Sequence, residues 1–459
     1  MAKSYEMDMC SGPVLKKMLM FSLPLMASGV LQLLFNAADV IILGRFAGDN
    51  SMGAVGSTSS LINLLTNLFV GLAVGVNVVA ARAHGANSKD DMHEAVHTSM
   101  LLSIISGALL AVVGFVFAPQ ILKLMNAAES QLPLASQYLR IYFLGTPALM
   151  VYNFGSAILR AVGDTKRPLY FLTAAGVLNV LLNILFVVAF GMDVTGVALA
   201  TIISQCLSAA LTVVCLTKER EEIRLSLKKL SLDKRTLISI IKVGLPAGVQ
   251  GCIFSMSNVL IQSSVNLFGD ITVDGNSAAQ SIEGFIYMAM NTFYQAAISF
   301  TGQHVGANRY DRIPRILFCA LGSVIVTGLV LGWAAFIFGH QLLSIYSDSP
   351  EVIEAGINRV RVICTTYAFC GMMDVMVGMM RGLGHSTVPM VVSLIGACGL
   401  RVLWLMTAFQ LPEFHNTFTI YASYPISWAL TFLAHVVCYV VIWSKLKRQL
   451  KQGETANSI

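Results

Sequence analysis

The sequence predicts an all-α integral membrane protein of twelve transmembrane helices, built as two six-helix bundles related by a pseudo-twofold axis. Three observations predict it. Of 459 residues, 56% are apolar and only 12% are charged, against about 25% charged in soluble domains, so a soluble fold could not cover its exterior. Apolar runs of about 20 residues, long enough to cross the hydrocarbon core as helices, recur along the chain. They are too long for barrel strands, and an open sheet would leave backbone groups unpaired in lipid. Finally, a series of short motifs returns at a nearly constant spacing.

Taken in order, apolar length bounded by charge, Gly and Pro places helices at 14–43, 54–81, 94–118, 134–158, 168–190 and 194–216. Lys16 and Lys17 precede the first apolar run, as in a signal peptide. That run continues far past Pro24 with no small-residue cleavage site, so it reads as a retained helix. These six form an N-terminal lobe, 1–216. The polar stretch 217–236 (TKEREEIRLSLKKLSLDKRT) reads as a cytoplasmic connector and a candidate amphipathic surface helix. The pattern resumes at 237–267, 276–304, 315–338, 355–379, 389–411 and 418–444, giving a C-terminal lobe, 237–445, and a tail, 446–459.

The repeat is internal to the chain. Leu23-Pro24 recurs as Leu245-Pro246 and Asn36 as Asn258, at a spacing of 222. Gly85-Ala86-Asn87 recurs as Gly306-Ala307-Asn308, and Arg160, Gly163 and Pro168 as Arg381, Gly384 and Pro389, at 221. Six is even, so both halves enter the membrane from the same side. That is the parallel-repeat arrangement of transporters, with the substrate site near midplane.

Lys and Arg set the orientation. The N-terminus, the loops after even-numbered helices, the connector and the tail hold nearly all of them, including Arg82, Lys166, Arg167, Lys228, Arg309, Arg381 and Lys447. The other side has only Arg45, Lys123, Arg140, Arg359 and Arg361. Both termini are therefore expected in the cytoplasm, and the net charge of +6 needs no nucleic-acid partner. Nine scattered cysteines without C-x-x-C spacing read as small buried apolar residues, neither disulfides nor metal ligands. His84, His93, His97 and His385 fall in or near the basic loops and read as solvated. No P-loop, nucleophile elbow or H-E-x-x-H occurs, so the chain reads as no enzyme and needs no cofactor. An ion gradient would drive it, one charge moved through 100 mV being worth about 2.3 kcal/mol.

A charge at the centre of a spanning helix costs roughly 2.5–3.5 kcal/mol, which makes such residues functional candidates. Gln32, Asn36 and Asp39 stand at i, i+4 and i+7 on one face of the first helix, and Asn179 and Asn183 pair similarly on the fifth. If those faces meet, they form a polar chamber whose carboxylate a proton or a sodium ion can neutralise. The alternative is an Asp39 solvated at a helix end. In the second half, Gln280, Glu283, Tyr287, Asn291 and Tyr294 lie at helical spacing, with Asp374 and Arg401 completing the charged set. Arg401 could pair with either acid, so at most one acid is expected to be fully neutralised by it. Met288, Met290, Met372, Met373, Met376, Met379 and Met380 accompany this cluster. They suit either an adaptable lining for bulky cations or ordinary packing.

These residues resemble the multidrug and toxic compound extrusion (MATE) family over essentially the whole chain. LPLMASGVLQLLFNAADVIILGRFAG resembles the family's first helix, and LRAVGDTKRP (159–168) and MRGLGHSTVP (380–389) its duplicated loops. GVALAT (196–201) resembles the start of its sixth helix. The stretch 282–308 and YPISW (424–428) resemble a bacterial branch. The resemblance implies H+- or Na+-coupled export of small cationic or amphipathic molecules through a V-shaped pair of bundles that alternates its opening. It implies a monomer in a bacterial inner membrane. The family's N-lobe site carries over to Gln32, Asn36, Asp39, Asn179, Asn183 and Thr201. Asn183 stands where several members have a second carboxylate, leaving Asp39 as the cluster's sole acid. Some branches place an acid on the seventh helix; this chain has none there, and Glu283 is placed to take that role. Two other readings stay open: a flippase of lipid-linked saccharides, which predicts a strongly cationic cavity, and a non-transporting receptor.

Overall fold

Inside a bilayer each segment must close its own backbone hydrogen bonds, and this chain does so with helices throughout. The computed structural model describes residues 5–46, 49–124 and 131–452, among which no strand occurs. The first half comprises α1 (Val14–Phe46), α2 (Asp49–Gly85), α3 (Lys89–Leu124) and α4 (Leu132–Leu144 and Thr146–Ala161). It continues with α5 (Lys166–Asn183, extended by a π-helical turn, Ile184–Ala189) and α6 (Val194–Thr217). The second half comprises α7 (Lys234–Val265), α8 (Asp270–Gly306), α9 (Ile313–Ile337) and α10 (Pro350–Ile363 and Ala368–Gly382). Then come α11 (Thr387–Ser393, a π-helical turn Leu394–Gly399, and Leu400–Met406) and α12 (Thr417–Lys451).

The twelve expected helices are all present. Most run longer than their apolar stretches, because polar end turns such as Lys89–His93 continue the helix beyond the lipid. Among the described residues, nine helices are singly long and apolar enough to span a membrane, and α4 and α10 raise the number to eleven as bent pairs. The twelfth is α8, whose polar series lowers its hydropathy. The 48° bend of α4 falls at Gly145, where Pro147 cannot donate to the preceding turn and suits a helix start. The 45° bend of α10 falls at the 3-10 turn Cys364–Thr366.

The duplication extends to backbone detail. Asn87 and Asn308 both adopt left-handed conformations, with φ of 51° and 54°, as do Gly163 and Gly384, at 90° and 86°. The amide after each Asn donates to the same relative carbonyl, Ser88 to Ala83 at 3.1 Å and Arg309 to His304 at 2.8 Å. Asp164 to Leu159 and His385 to Met380, both at 2.9 Å, repeat the pattern at the other loop. Asn and Gly tolerate the left-handed region that closes these helix ends, which is why these residue types recur there.

Packing divides the chain into two units interleaved in sequence: Met1–Cys10, Leu23–Gly248 and Gly306–Asn308 form one, and Ser11–Ser22, Val249–Val305 and Arg309–Ile459 the other. In the first unit α2, α3 and α4 enclose Leu139, Phe143, Met150 and Phe154, all fully buried. Here α1 meets α5 closely, since a Cβ at Gly176 would lie 1.8 Å from Phe35 Cε2. In the second unit α8 sits against α9 and α10, and α12 against α10 and α11. The first turns of α1 belong to this second unit. Phe21 rests edge-on against Phe300 at 5.8 Å, and the Gly12 carbonyl accepts from Arg312.

Three expectations are corrected. The connector is no amphipathic helix; beyond a 3-10 turn at Leu227–Lys229 it is irregular. Its Ile223 and Leu225 join the core of the first unit, its Ser226 amide donates to His97 Nε2 at 3.1 Å, and its Asp233 amide donates to Thr98 Oγ1 at 3.1 Å. His97, expected in solvent, is accordingly 1% exposed. Arg359 and Arg381, assigned to opposite membrane edges, are instead buried, at 3% and 4% exposure, because each finds partners inside its unit.

Candidate functional site

In the first unit, the Gly176–Phe35 approach brings the carboxylate of α1 onto α5. Asn183 donates from Nδ2 to Asp39 Oδ1 at 2.5 Å, and the same nitrogen lies 3.3 Å from Asn179 Oδ1. Asn183 is fully buried and Asn179 nearly so, while Asp39 is half-buried. No cation pairs with Asp39 among the described residues, and no other hydrogen bond reaches its carboxylate. Asn183 Oδ1 is buried without a partner. Tyr138 and Tyr142, whose rings are 6.0 Å apart, lie within electrostatic range of Asp39. The α-helix ends at Asn183 and the π-helical turn begins at Ile184; such turns are frequent at functional sites.

Of the residues expected to gather here, the structure brings Asp39, Asn179 and Asn183 into contact. Gln32 and Asn36 lie on exposed positions of α1 and make no side-chain bond to that trio. Thr201 turns its hydroxyl to the Val197 carbonyl of its own helix, at 2.9 Å. The two tyrosines of α4 were not among the expected residues. Their spacing of four, which puts both rings on one face of the helix, is the signal that would have found them.

In the second unit, Arg401 pairs with neither acid. Glu283 receives a bidentate pair from Arg359, whose Nε and Nη2 donate at 2.7 and 2.8 Å, and whose Nη1 donates to Asn276 Oδ1 at 2.8 Å. Asn276 in turn donates to Gln262 Oε1 at 2.9 Å, which also accepts from Gln280 at 3.2 Å. Tyr421 and Tyr424 cover the guanidinium of Arg359 at 5.5 and 5.4 Å. Fork-to-fork geometry with satisfied outer atoms is the strong form of an ion pair.

Asp374 is a different case. It is half-buried with no hydrogen-bond partner among the described residues, and the charge acting on it is that of Arg381. Arg381 donates to Tyr294 Oη, and from Nη2 to Gln250 Oε1 at 2.8 Å. Tyr287 lies within range of Asp374 and accepts from Asn291 Nδ2 at 3.3 Å. Of the accompanying methionines, Met290, Met373, Met376, Met379 and Met380 are buried. Met290 packs between α9 and α10 beside Gly328 and Gly371, and Met379 accepts from Thr301 Oγ1, so these two serve packing. Arg401 donates from Nε to Ser427 Oγ at 2.8 Å and lies over Tyr424 and Trp428 at 4.3 and 5.4 Å, with Nη2 unpartnered.

The comparisons with known proteins bear on the family and the fold. The family model described as MatE matches twice, over residues 24–185 and 246–406, which is the duplication seen in the motifs and loop geometry. A probable multidrug resistance protein of Bacillus subtilis, YoeA, is 26% identical over 441 residues, covering 94% of this chain and 95% of its own. A second from that organism, YpnP, is 29% identical over 394 residues, covering 86% and 88%. Among solved structures, a crystal structure of MATE in complex with MaL6 superposes with a TM-score of 0.90 over 98% of this chain and 100% of that one, at 22% identity, a likeness of fold. Twelve helices in two related halves, matched twice by one family model, place the chain in the MatE family.

Proposed function

We propose that the chain is an antiporter that exports organic cations or other amphipathic compounds by alternating access, driven by inward movement of H+ or Na+ bound at Asp39. What carries the proposal is the Asp39–Asn183 contact: a carboxylate inside the spanning helices that is held by an amide and, among the described residues, opposed by no basic side chain. One oxygen is engaged by Asn183 and the other is available to a proton or a cation. A charge so placed is expensive in lipid, so loading and unloading it favours different states of the protein. Asp374, half-buried and without a hydrogen-bond partner among the described residues, is a candidate for a second coupling step.

The basic residues of the loops, connector and tail support an inner-membrane protein with both termini in the cytoplasm. The test is flux of a fluorescent organic cation from proteoliposomes under separately imposed proton and sodium gradients. The wild type is expected to transport under at least one gradient. Asp39→Asn is expected to lose that flux while keeping its thermal stability; full flux in that variant sinks the proposal.

A further inference from the structure

Arg401 is built like Arg359 with one part left out. Both guanidinium groups are 3% exposed, and both lie over Tyr424, at 5.4 Å for Arg359 and 4.3 Å for Arg401. Arg359 is completed by the two carboxylate oxygens of Glu283 and an amide oxygen. Arg401 has one hydroxyl, Ser427 Oγ, and that oxygen also donates to the Tyr424 carbonyl at 2.8 Å. Among the described residues no carboxylate pairs with Arg401, and its Nη2 is buried without an acceptor.

Aromatic faces attract a cation but accept none of its N–H bonds in the plane. A buried donor without a partner costs about 1–3 kcal/mol, and more when charged. Among the described residues, the charges inside the helices of this unit are buried Glu283, Arg359, Arg381 and Arg401 and half-buried Asp374. Taken as ionised they leave one positive charge over: Arg359 is paired with Glu283, the charge acting on Asp374 is that of Arg381, and no acid pairs with Arg401 among the described residues. Beside it, Trp428 stands 5.5 Å from Tyr424 and 5.3 Å from Tyr367, forming a continuous aromatic wall. The seven-residue helical piece carrying Arg401, Leu400–Met406, is joined to the rest of α11 by a π-helical turn.

The geometry points to an oxyanion site: Arg401, walled by Tyr424, Trp428 and Tyr367, takes a carboxylate-type group. That group is either a small free anion or the acidic end of an amphipathic substrate. A charge-assisted bond to Nη2 completes the guanidinium, and the aromatic wall receives the flat apolar body. The inference rests on the export reading only in calling the ligand a substrate. Within the amphipathic compounds already proposed, it singles out those with an acidic end.

The test is equilibrium binding to the purified full-length chain in detergent with no ion gradient. The probes are 2-naphthoate, its uncharged twin 2-naphthamide, and acetate. Naphthoate is expected to bind at least tenfold more tightly than naphthamide. Arg401→Gln is expected to abolish that preference and Arg401→Lys to retain part of it. Acetate matching naphthoate would assign the site to a small free anion; acetate at least tenfold weaker would assign it to a substrate's acidic end. Equal binding of naphthoate and naphthamide by the wild type overturns the proposal, as does an unchanged preference in Arg401→Gln. If Arg401→Gln fails to fold, the wild-type pair of probes still decides. Asp39→Asn is expected to keep the preference, so loss of coupling and loss of this site are told apart.

Discussion

A carboxylate is free to carry an ion when it stands without a partner, and Glu283 is held through both oxygens by Arg359. Removing one member of a buried pair costs about 3–5 kcal/mol, because the remaining charge is uncompensated. Glu283→Gln is therefore expected to lower the thermal unfolding midpoint in detergent sharply, with Arg359→Met added in the same chain restoring most of the loss. A single variant as stable as the wild type would show that the pair does not hold its unit together. Asp39 is the opposite case, with an amide on one oxygen and no cation. The sequence made Asp39, Asn179 and Asn183 legible because each lies on a face defined by local spacing, so only one contact between helices had to be guessed. Glu283 and Arg359 lie 76 residues apart, and nothing local joins them. Arg359 looked like an edge residue because Arg361 and Glu351 flank it in a stretch of low hydropathy, while the burial that defines its role is tertiary.

Helices set the precision of these sites, and here small features count. Gly176 lies seven residues before Asn183 on α5, and Phe35 four residues before Asp39 on α1, so their contact holds the two helices in register for the polar pair. Gly176→Leu is expected to push α1 from α5 and reduce gradient-driven flux at least tenfold, as Asp39→Asn does. Flux at the wild-type level would show that α1 is held by other contacts. The start of α7 is fixed by Asp233, whose Oδ1 accepts from the Thr236 amide at 2.7 Å. That bond holds the carboxyl below its ordinary value of 3.8. A group lowered in the folded state contributes above the unfolded pKa and stops contributing as pH falls through the folded one. Amide exchange at Thr236 is therefore expected to accelerate, relative to the rest of α7, only below about pH 4, and at every pH in Asp233→Ala. The twelve helices were legible from apolar length, but the π-helical turns were not. Each inserts an extra residue that rotates the rest of its helix by roughly 100°, so a constant helical period misplaces side chains beyond it, Arg401 among them.

The molecule is one design used twice, and its duplicated helix ends allow a matched test. Replacing Asn87 or Asn308 by Val puts a branched side chain in the left-handed region, at about 1–2 kcal/mol each, whereas Gly at either position should be neutral. The unfolding midpoint should fall for both Val variants and for neither Gly variant; a Val variant at the wild-type midpoint would mean the turn relaxes at no cost. The repeat was legible because turn residues are dictated by backbone conformation and survive when lipid-facing residues drift. What the two copies do with their buried charges was legible only in part, since pairing depends on contacts that the repeat does not encode. The interleaving of the units in sequence also sets a schedule. Phe21 is fully buried beside Phe300, and Gly12 is bonded to Arg312, 300 residues away. At synthesis rates of about 5–20 residues per second, the start of the first helix waits roughly fifteen to sixty seconds for its neighbours to be made. During that interval its opening turns have only lipid and water for company.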